Sequence, residues 1–189
     1  MSEFAERLQR VEDILEIQQL AIRYALAVDE RDVDRWLELF VPDVDVGRRG
    51  VGREALRQVI TPMLRLFYRS IHHITGHRIE LIDTTHATGS VYCRAEHEVG
   101  DRWIVISVRY DDDYRKVDGR WYFARRDDKH WYEADLIERP QDVGFSGWAE
   151  APSRPRLPQP GTSWVKFWEG VDTTAVTCAP LADRRAKPL

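Results

Sequence analysis

Residues 11–40 read VEDILEIQQLAIRYALAVDERDVDRWLELF, and this stretch decides the first half of the fold. Apolar side chains recur at three- and four-residue steps as far as Val28, which predicts one long amphipathic helix. The charged run 29–32 ends that pattern. Asp32 is placed to cap a short second helix over 33–40, because its carboxylate can accept free backbone N–H groups. The amino-terminal part of the chain is therefore expected to be helical.

After a third helix, predicted over 53–68, the apolar pattern changes from helical to alternating. Four strands are predicted, at about 71–82, 87–99, 102–115 and 120–133. The links between them are short, and the last ends in the Asp-Gly pair that is typical of tight hairpins. Because short links join antiparallel neighbours, helices followed by a meander indicate an α+β domain, with the helices on one face of a curved sheet.

The composition changes at Pro140, since seven of the nine prolines lie from there to the end of the chain. We therefore divide the chain into a domain over 1–139 and a carboxyl-terminal arm over 140–189. Two interpretations of the arm stay open: it closes the core of its own domain, or it crosses to a neighbouring subunit or covers a pocket. The arm carries too many large apolar side chains for a solvated tail: Phe145, Trp148, Trp164, Phe167 and Trp168.

Composition also argues against several classes of function. The 28 Lys and Arg against 32 Asp and Glu give a net charge of −4, without the basic excess of a dedicated nucleic-acid binder. No apolar run approaches the roughly 20 residues of a membrane span, and the first residues lack the pattern of a signal peptide. Cys93 and Cys178 form no CxxC pair. We expect a cytoplasmic protein that binds neither nucleic acid nor membrane and takes a small molecule instead.

Histidines provide the candidate chemistry. Counting by twos from Ala87 places His97 on the apolar, inward face of its strand, where it is either a core histidine with a hydrogen-bond partner or an acid–base group. Asp29 falls at the edge of the apolar stripe of the first helix. It is either a turn residue or a carboxylate directed between helix and sheet, where it could fix the tautomer of a histidine. Four of the six histidines lie in or beside the first two strands: His72, His73, His77 and His97.

Neither a metal nor an organic cofactor is predicted. His72 and His73 are neighbours on a strand, so their side chains point to opposite faces and cannot easily bind one ion. No HExxH motif or cysteine pair supplies another metal site. The acidic run 111–113 is interpreted as a solvated charge run rather than a calcium loop. No GxGxxG, P-loop or GxSxG motif is present.

Four stretches resemble the SnoaL-like branch of the nuclear transport factor 2-like superfamily: residues 11–20, 24–40, 71–76 and 117–123. The last contains the Asp-Gly-x-Trp-x-Phe hairpin that is common across the superfamily. The resemblance implies a cone, in which a strongly curved mixed sheet wraps around amino-terminal helices and leaves a pocket in its mouth. This architecture agrees with the α+β order predicted from the pattern of apolar residues.

Within that branch the residues are similar to the scytalone dehydratases and related dehydratases. The resemblance implies His72 as general base, Asp29 as the residue that orients a histidine, and His97 as a second acid–base group or leaving-group donor. A second dehydratase group in the branch leaves His73 as a substitute for His72. The tyrosines that polarise the substrate in scytalone dehydratases are not matched, and the expected replacements are Tyr24 and Tyr110.

The function implied is a cofactor-independent lyase (a dehydratase) or an isomerase, acting on a hydrophobic oxygenated ring compound such as a polyketide, a steroid or an aromatic catabolite. The alternative is a non-catalytic binding or oligomerisation module of the same fold, such as the β-subunit of ring-hydroxylating dioxygenases. Related dehydratases imply a homo-oligomer, with a trimer favoured over a dimer. A cavity shared by Asp29 and His72 would favour catalysis over the alternative.

Overall fold

The computed structural model describes residues 2–136, 161–174 and 176–177. Its α-helices are α1 (Glu3–Asp29), α2 (Val33–Leu37), α3 (Arg53–Leu64) and α4 (Thr162–Trp168). The strands are β1 (Ser70–Leu81), β2 (His86–Val99), β3 (Arg102–Val117) and β4 (Arg120–Asp135). The strands form one antiparallel sheet in sequence order, so the predicted α+β class is confirmed. None of the described helices is long and apolar enough to cross a membrane.

Asp32 begins α2 as predicted, since its carboxylate accepts the backbone N–H of Arg35 at 3.0 Å. The expected third helix is shorter than predicted and ends at Leu64, shortly after Pro62. Proline lacks the N–H that continues a helical ladder, which accounts for the early end. The following residues lead into β1 instead.

The core lies between α1, α2 and one face of the sheet. Trp36, Phe40, Tyr24 and Phe123 form an aromatic cluster with ring centres 4.6 to 6.0 Å apart. Burying each such side chain stabilises the fold by roughly 1.5–3 kcal/mol. Phe40 also forms a parallel bridge to Phe123. In the described part of the chain this bridge is the parallel component of the predicted mixed sheet, because all four strands pair antiparallel.

Bulges give the sheet its curvature. The register shifts between Ile74 and Gly76 on β1, and at two places between β3 and β4, next to Val108 and next to Tyr114. A bulge bends its strand and also changes which residues face inward, because side chains alternate with a period of two. The sheet therefore curves around α1 without closing.

Helix α4, in the predicted arm, packs on its own domain. The ring of Trp164 is 5.4 Å from that of Tyr68, and the guanidinium of Arg31 lies 4.9 Å from the Trp164 ring. This contact agrees with an arm that closes its own core. Phe145, Trp148 and the predicted boundary at 139 lie outside the described residues, so the domain division stays a prediction.

Gly89 on β2 generates a test of the packing. A Cβ added there would lie 2.7 Å from the carbonyl oxygen of Arg78 and 3.0 Å from the ring of Tyr114. We expect Gly89→Ala to lower the free energy of unfolding by about 1–3 kcal/mol, because the carbonyl of Arg78 and the ring of Tyr114 must move to make room for the new methyl group. Urea denaturation measures the change.

The matched control is Gly76→Ala on β1, where a Cβ meets nothing within 4 Å. We expect it to change stability by less than about 1 kcal/mol, the usual range for a substitution without a packing defect. Equal losses in the two variants would show that the space beside Tyr114 is not the cause.

Candidate functional site

A cavity of about 480 Å³ lies between the helices and the inner face of the sheet. Its wall is mainly apolar, with contributions from Val28, Trp36, Ile60 and Phe67. An apolar wall with a few polar groups is typical of a small-molecule site. The polar side chains on it are Tyr24, His72, His97, Tyr110, Arg126, Asp128, His130 and Glu133.

A larger cleft of about 710 Å³ opens elsewhere on the surface and is lined mostly by charged side chains, among them Glu16, Arg23 and Arg120. It shares no residue with the cavity and contains none of the site residues predicted from sequence. Among the residues that the structure describes, no group of three or more His, Cys, Asp or Glu side chains could hold a metal ion. The cavity is therefore the candidate site.

His72 lines the cavity, and Asp29, which is not among the lining residues, is hydrogen-bonded to it. Oδ1 of Asp29, at the end of α1, is 2.7 Å from Nδ1 of His72 on β1. Oδ2 of Asp29 accepts the backbone N–H of His72 at 2.9 Å, and Ser70 Oγ donates to Oδ1 at 2.8 Å. When Nδ1 carries the proton towards Asp29, Nε2 has a free lone pair. The arrangement is that of a histidine base held in one tautomer.

Arg31 supports this pair from behind. Its side chain is buried, and its Nη1 donates to Ser70 Oγ at 3.0 Å. Its Nη2 donates to the carbonyl oxygens of Phe67 and Tyr68. Burial lowers the pKa of Arg31 to about 9, although the charge of Asp29 acts in the opposite direction. Arg31 is thus still a cation at neutral pH. It donates to the hydroxyl of Ser70, which in turn donates to Asp29.

His97 faces the cavity, as the alternation on β2 predicts. Its ring is 5.7 Å from the ring of His72, edge-on, and it packs 4.4 Å from Phe67. Its buried Nδ1 has no hydrogen-bond partner in the described part of the chain. Burial lowers the pKa of His97 to about 3, and the charges of His72 and Arg31 act in the same direction. At neutral pH this side chain is neutral and holds no extra proton to donate.

Arg126 is a site residue that the sequence analysis missed. Its guanidinium is buried 4.4 and 4.3 Å over the rings of Tyr24 and Tyr110, which both line the cavity. Two hydrogen bonds of 2.8 and 2.7 Å join it to the carboxylate of Asp112. Although burial acts to lower the pKa of Arg126, the bonds to Asp112 raise it above its ordinary value. Its buried Nη1 has no partner among the described residues.

The bulge next to Tyr114 explains why Arg126 was missed. Trp121 and Phe123 are buried on β4, and strict alternation from them would turn Arg125 inward. The pairing with β3 shifts between Asp113 and Tyr114, and the extra residue turns Arg126 inward instead. No local sequence signal marks this bulge.

Asp112 corrects the interpretation of 111–113 as a solvated run. Its side chain is buried, because it lies on the inner face of β3 with Tyr110 and Tyr114. Tyr114 donates its hydroxyl to Oδ2 of Asp112 at 2.8 Å, and Nε2 of His77 lies 2.9 Å from that hydroxyl. The alternation on β3 was the signal that could have revealed the buried carboxylate.

His73 does not belong to this site. It lies on the opposite face of β1 from His72, its side chain is 48% exposed, and its Nε2 is 3.8 Å from Oε1 of Glu96. The expectation that His73 could substitute for His72, or bind substrate with Tyr24 and Tyr110, does not fit this position. Neighbouring strand residues point to opposite faces, so only one of the two histidines can reach the cavity.

The buried His97 predicts how stability depends on pH. Below the ordinary histidine pKa of 6.5, the unfolded chain binds a proton at His97 that the folded chain does not bind until about pH 3. The free energy of unfolding should therefore fall as pH falls through this window. The free energy of unfolding should fall less between pH 7 and pH 5 in His97→Gln than in the wild type, by roughly 1–2 kcal/mol.

Urea denaturation at the two pH values measures this difference. His86→Gln changes an exposed histidine of β2 and serves as the comparison variant for the loss of an imidazole outside the cavity. His77 adds to the loss of stability at low pH in the wild type and in His97→Gln alike, since burial lowers the pKa of His77 as well. An unchanged pH dependence in His97→Gln would show that His97 titrates normally in the folded chain.

Known proteins are similar to this chain in sequence. Gamma-hexachlorocyclohexane dehydrochlorinase of Sphingobium indicum is 27% identical over 129 residues, covering 63% of this chain and 81% of the relative. An uncharacterized protein of Mycobacterium tuberculosis is 30% identical over 124 residues, covering 61% of this chain and 84% of the relative. The chain is thus similar to curated proteins over most of their length.

Solved structures show the same fold. Hexachlorocyclohexane dehydrochlorinase LinA-type3 from Novosphingobium barchaimii superposes with a TM-score of 0.61 at 25% identity, covering 69% of this chain and 94% of that one. A protein of Novosphingobium aromaticivorans, provisionally assigned as a scytalone dehydratase, gives a TM-score of 0.61 at 23% identity and covers 69% and 92%. At that identity the second likeness concerns the fold alone.

The family model described as a SnoaL-like domain matches residues 9–127, well over half of the chain. The matched stretch includes Asp29, His72, His97 and Arg126. The chain therefore belongs to the SnoaL-like domain family, within the nuclear transport factor 2-like superfamily.

Proposed function

We propose that this protein is a lyase that removes a proton from a carbon next to an activating group and expels a leaving group, with His72 as the general base. The observation that carries the proposal is the 2.7 Å bond between Asp29 and His72 at the wall of one apolar cavity. The dehydrochlorinase relatives support a lyase family but not a substrate.

His72 takes the proton through Nε2, because Nδ1 is held by Asp29. The carboxylate of Asp29 cannot easily rotate away, since Ser70 and the backbone N–H of His72 occupy its two oxygens. It also stabilises the positive charge that develops on the ring. A positioned base of this kind typically contributes about 10²–10⁴-fold to the rate.

Arg126 stabilises the negative charge that develops on the substrate when the proton leaves. As the C–H electrons move, charge develops on an oxygen of the activating group, and a fixed cation in a water-poor site stabilises it. Nη1 of Arg126, which is buried and has no hydrogen-bond partner among the described residues, is the donor for that oxygen. Tyr24 and Tyr110 flank it, and burial raises the pKa of both, so they are neutral hydroxyl donors at pH 7.

The cavity suits a hydrophobic ring compound that carries oxygen. Its volume of about 480 Å³ and its apolar wall favour a polyketide, a steroid or an aromatic catabolite. The chemistry of His72, Asp29 and Arg126 needs no cofactor. An isomerase would use the same base, so elimination and isomerisation differ only in the fate of the intermediate.

The alternative, a non-catalytic module of the same fold, predicts a pocket without buried polar pairs. His72 and Arg126 line one cavity, and each is paired with a carboxylate, Asp29 or Asp112; these pairs favour the lyase. A homo-oligomer, as a trimer or else a dimer, stays a prediction, as does a cytoplasmic location.

The base can be tested before the natural substrate is identified. We expect the protein to exchange the activated C–H of ring ketones with a β-hydroxyl or β-chloro group for deuterium in D₂O, as followed by NMR. His72→Gln should reduce the exchange rate by at least about 100-fold, because the base is lost. The affinity for the same ketones should change far less.

His73→Gln is the comparison variant, since this neighbour lies on the other face of the strand. It should retain exchange. Exchange that survives in His72→Gln would remove His72 from the base role.

A double substitution separates the proposed role of Arg126 in exchange from its contribution to stability. Arg126→Gln leaves Asp112 as an unpaired buried carboxylate and should lower the free energy of unfolding by about 3–5 kcal/mol. Adding Asp112→Asn removes that charge and should restore most of the stability. Deuterium exchange should stay low in the double variant, because the cation is still missing.

Thermal unfolding and the exchange assay measure the two effects separately. A stable double variant with normal exchange would mean that Arg126 only supports the fold.

A further inference from the structure

The cavity contains a second histidine–aspartate pair, at its mouth on β4. Nε2 of His130 lies 3.0 Å from Oδ2 of Asp128, and both side chains line the same cavity as His72. They are 53% and 62% exposed, so the pair meets both the cavity and the solvent. It lies just beyond residue 127, where the match to the family ends. Family membership therefore gives this pair no role.

The sheet places this pair across the cavity from His72. His130 pairs with Val108 on β3, Val108 pairs with Cys93 on β2, and Cys93 pairs with Ile74 on β1. Ile74 is the inward position next to His72. The two histidines are thus separated by three strand spacings, roughly 14 Å of backbone on a flat sheet. Both side chains line the same cavity, from strands at opposite edges of the sheet.

We propose that His130 is the general acid that protonates the leaving group, and that the site is therefore built for a hydroxyl leaving group rather than a halide. The inference rests on the proposed function, because His72 supplies the base. A halide departs as a stable anion, whereas hydroxide is a strong base and leaves readily only as water. A general acid is therefore needed for a hydroxyl leaving group but not for a halide.

The other polar groups around the cavity do not provide this proton. His97 is neutral at pH 7, because burial lowers its pKa to about 3. Arg126 holds its protons too strongly, since Asp112 raises its pKa. Of the cavity histidines, His130 is the one that the solvent reaches to restore its proton. The acidic groups that face it from the wall are Asp128 and Glu133.

Nε2 of His130 lies 3.0 Å from Asp128, so the Nδ1 proton of a protonated ring is the one that remains available for transfer. His72 Nε2 takes the proton from carbon, and the C–H electron pair forms the double bond. The C–O bond breaks, its electron pair goes to oxygen, and the Nδ1 proton of His130 completes a water molecule. His130 then regains a proton from solvent at the mouth, and His72 gives its proton to water that enters the cavity after the product has left.

The test compares two leaving groups on one ring. Matched cyclic β-hydroxy and β-chloro ketones both give an enone, whose absorbance reports the rate of elimination. We expect His130→Gln to slow loss of water by at least about 100-fold and loss of chloride by less than about 3-fold, since only the first needs the acid.

His86→Gln is the matched control. His86 also contacts an aspartate, Asp83, and is similarly exposed, but it lies away from the cavity. It should leave both rates unchanged. Asp128→Asn should reduce dehydration less than His130→Gln, because the acid remains but is poorly oriented.

The outcomes separate the two proposals. Equal effects of His130→Gln on both leaving groups, or no effect on either, would overturn the role of His130. If His72→Gln abolishes both eliminations in that case, the proposed function still holds and only the acid is wrong. If His72→Gln retains both eliminations, the proposed function fails as well.

Discussion

Arg31 is the buried charge on which the geometry of the site depends. It follows the end of α1 with a left-handed backbone, φ 57°, and its side chain is only 1% exposed. From there it binds Ser70 and the carbonyl oxygens that lead into β1. Breaking these bonds would leave a charge in the core without partners, which typically costs several kcal/mol. The end of α1 and the start of β1 are therefore fixed together, and Asp29 and His72 are fixed with them.

A second buried cation, Arg126, lines the cavity itself. Arg126 is paired with Asp112, as Arg31 is placed beside Asp29. Charges in an apolar, water-poor space interact much more strongly than in water. In the proposed function, the site presents a base held by one carboxylate and a cation held by another. This separation of roles is what removal of a proton from carbon requires, because positive charge grows at the base and negative charge at the substrate oxygen.

The local pattern of apolar and polar residues in the sequence predicted most of the fold. The four strands begin and end within about two residues of their predicted positions, and Asp32 caps α2 as expected. The inward direction of His97 followed from counting along one strand. These features depend on neighbours a few residues apart, so they can be recognised without the tertiary structure. The family resemblance extended this to Asp29 and His72 as candidates.

The sequence by itself thus determined the order of the elements and the curved α+β class, and it offered Asp29 and His72 as candidates for the proposed site. Only the tertiary structure decided which polar groups meet. The bulge after Ile74 turns His77 inward, and the bulge beside Tyr114 turns Arg126 rather than Arg125 towards the cavity. A bulge adds one residue to one strand and exchanges the two faces beyond it. Its position is fixed by the pairing with a distant strand, and for that reason no local pattern predicts it.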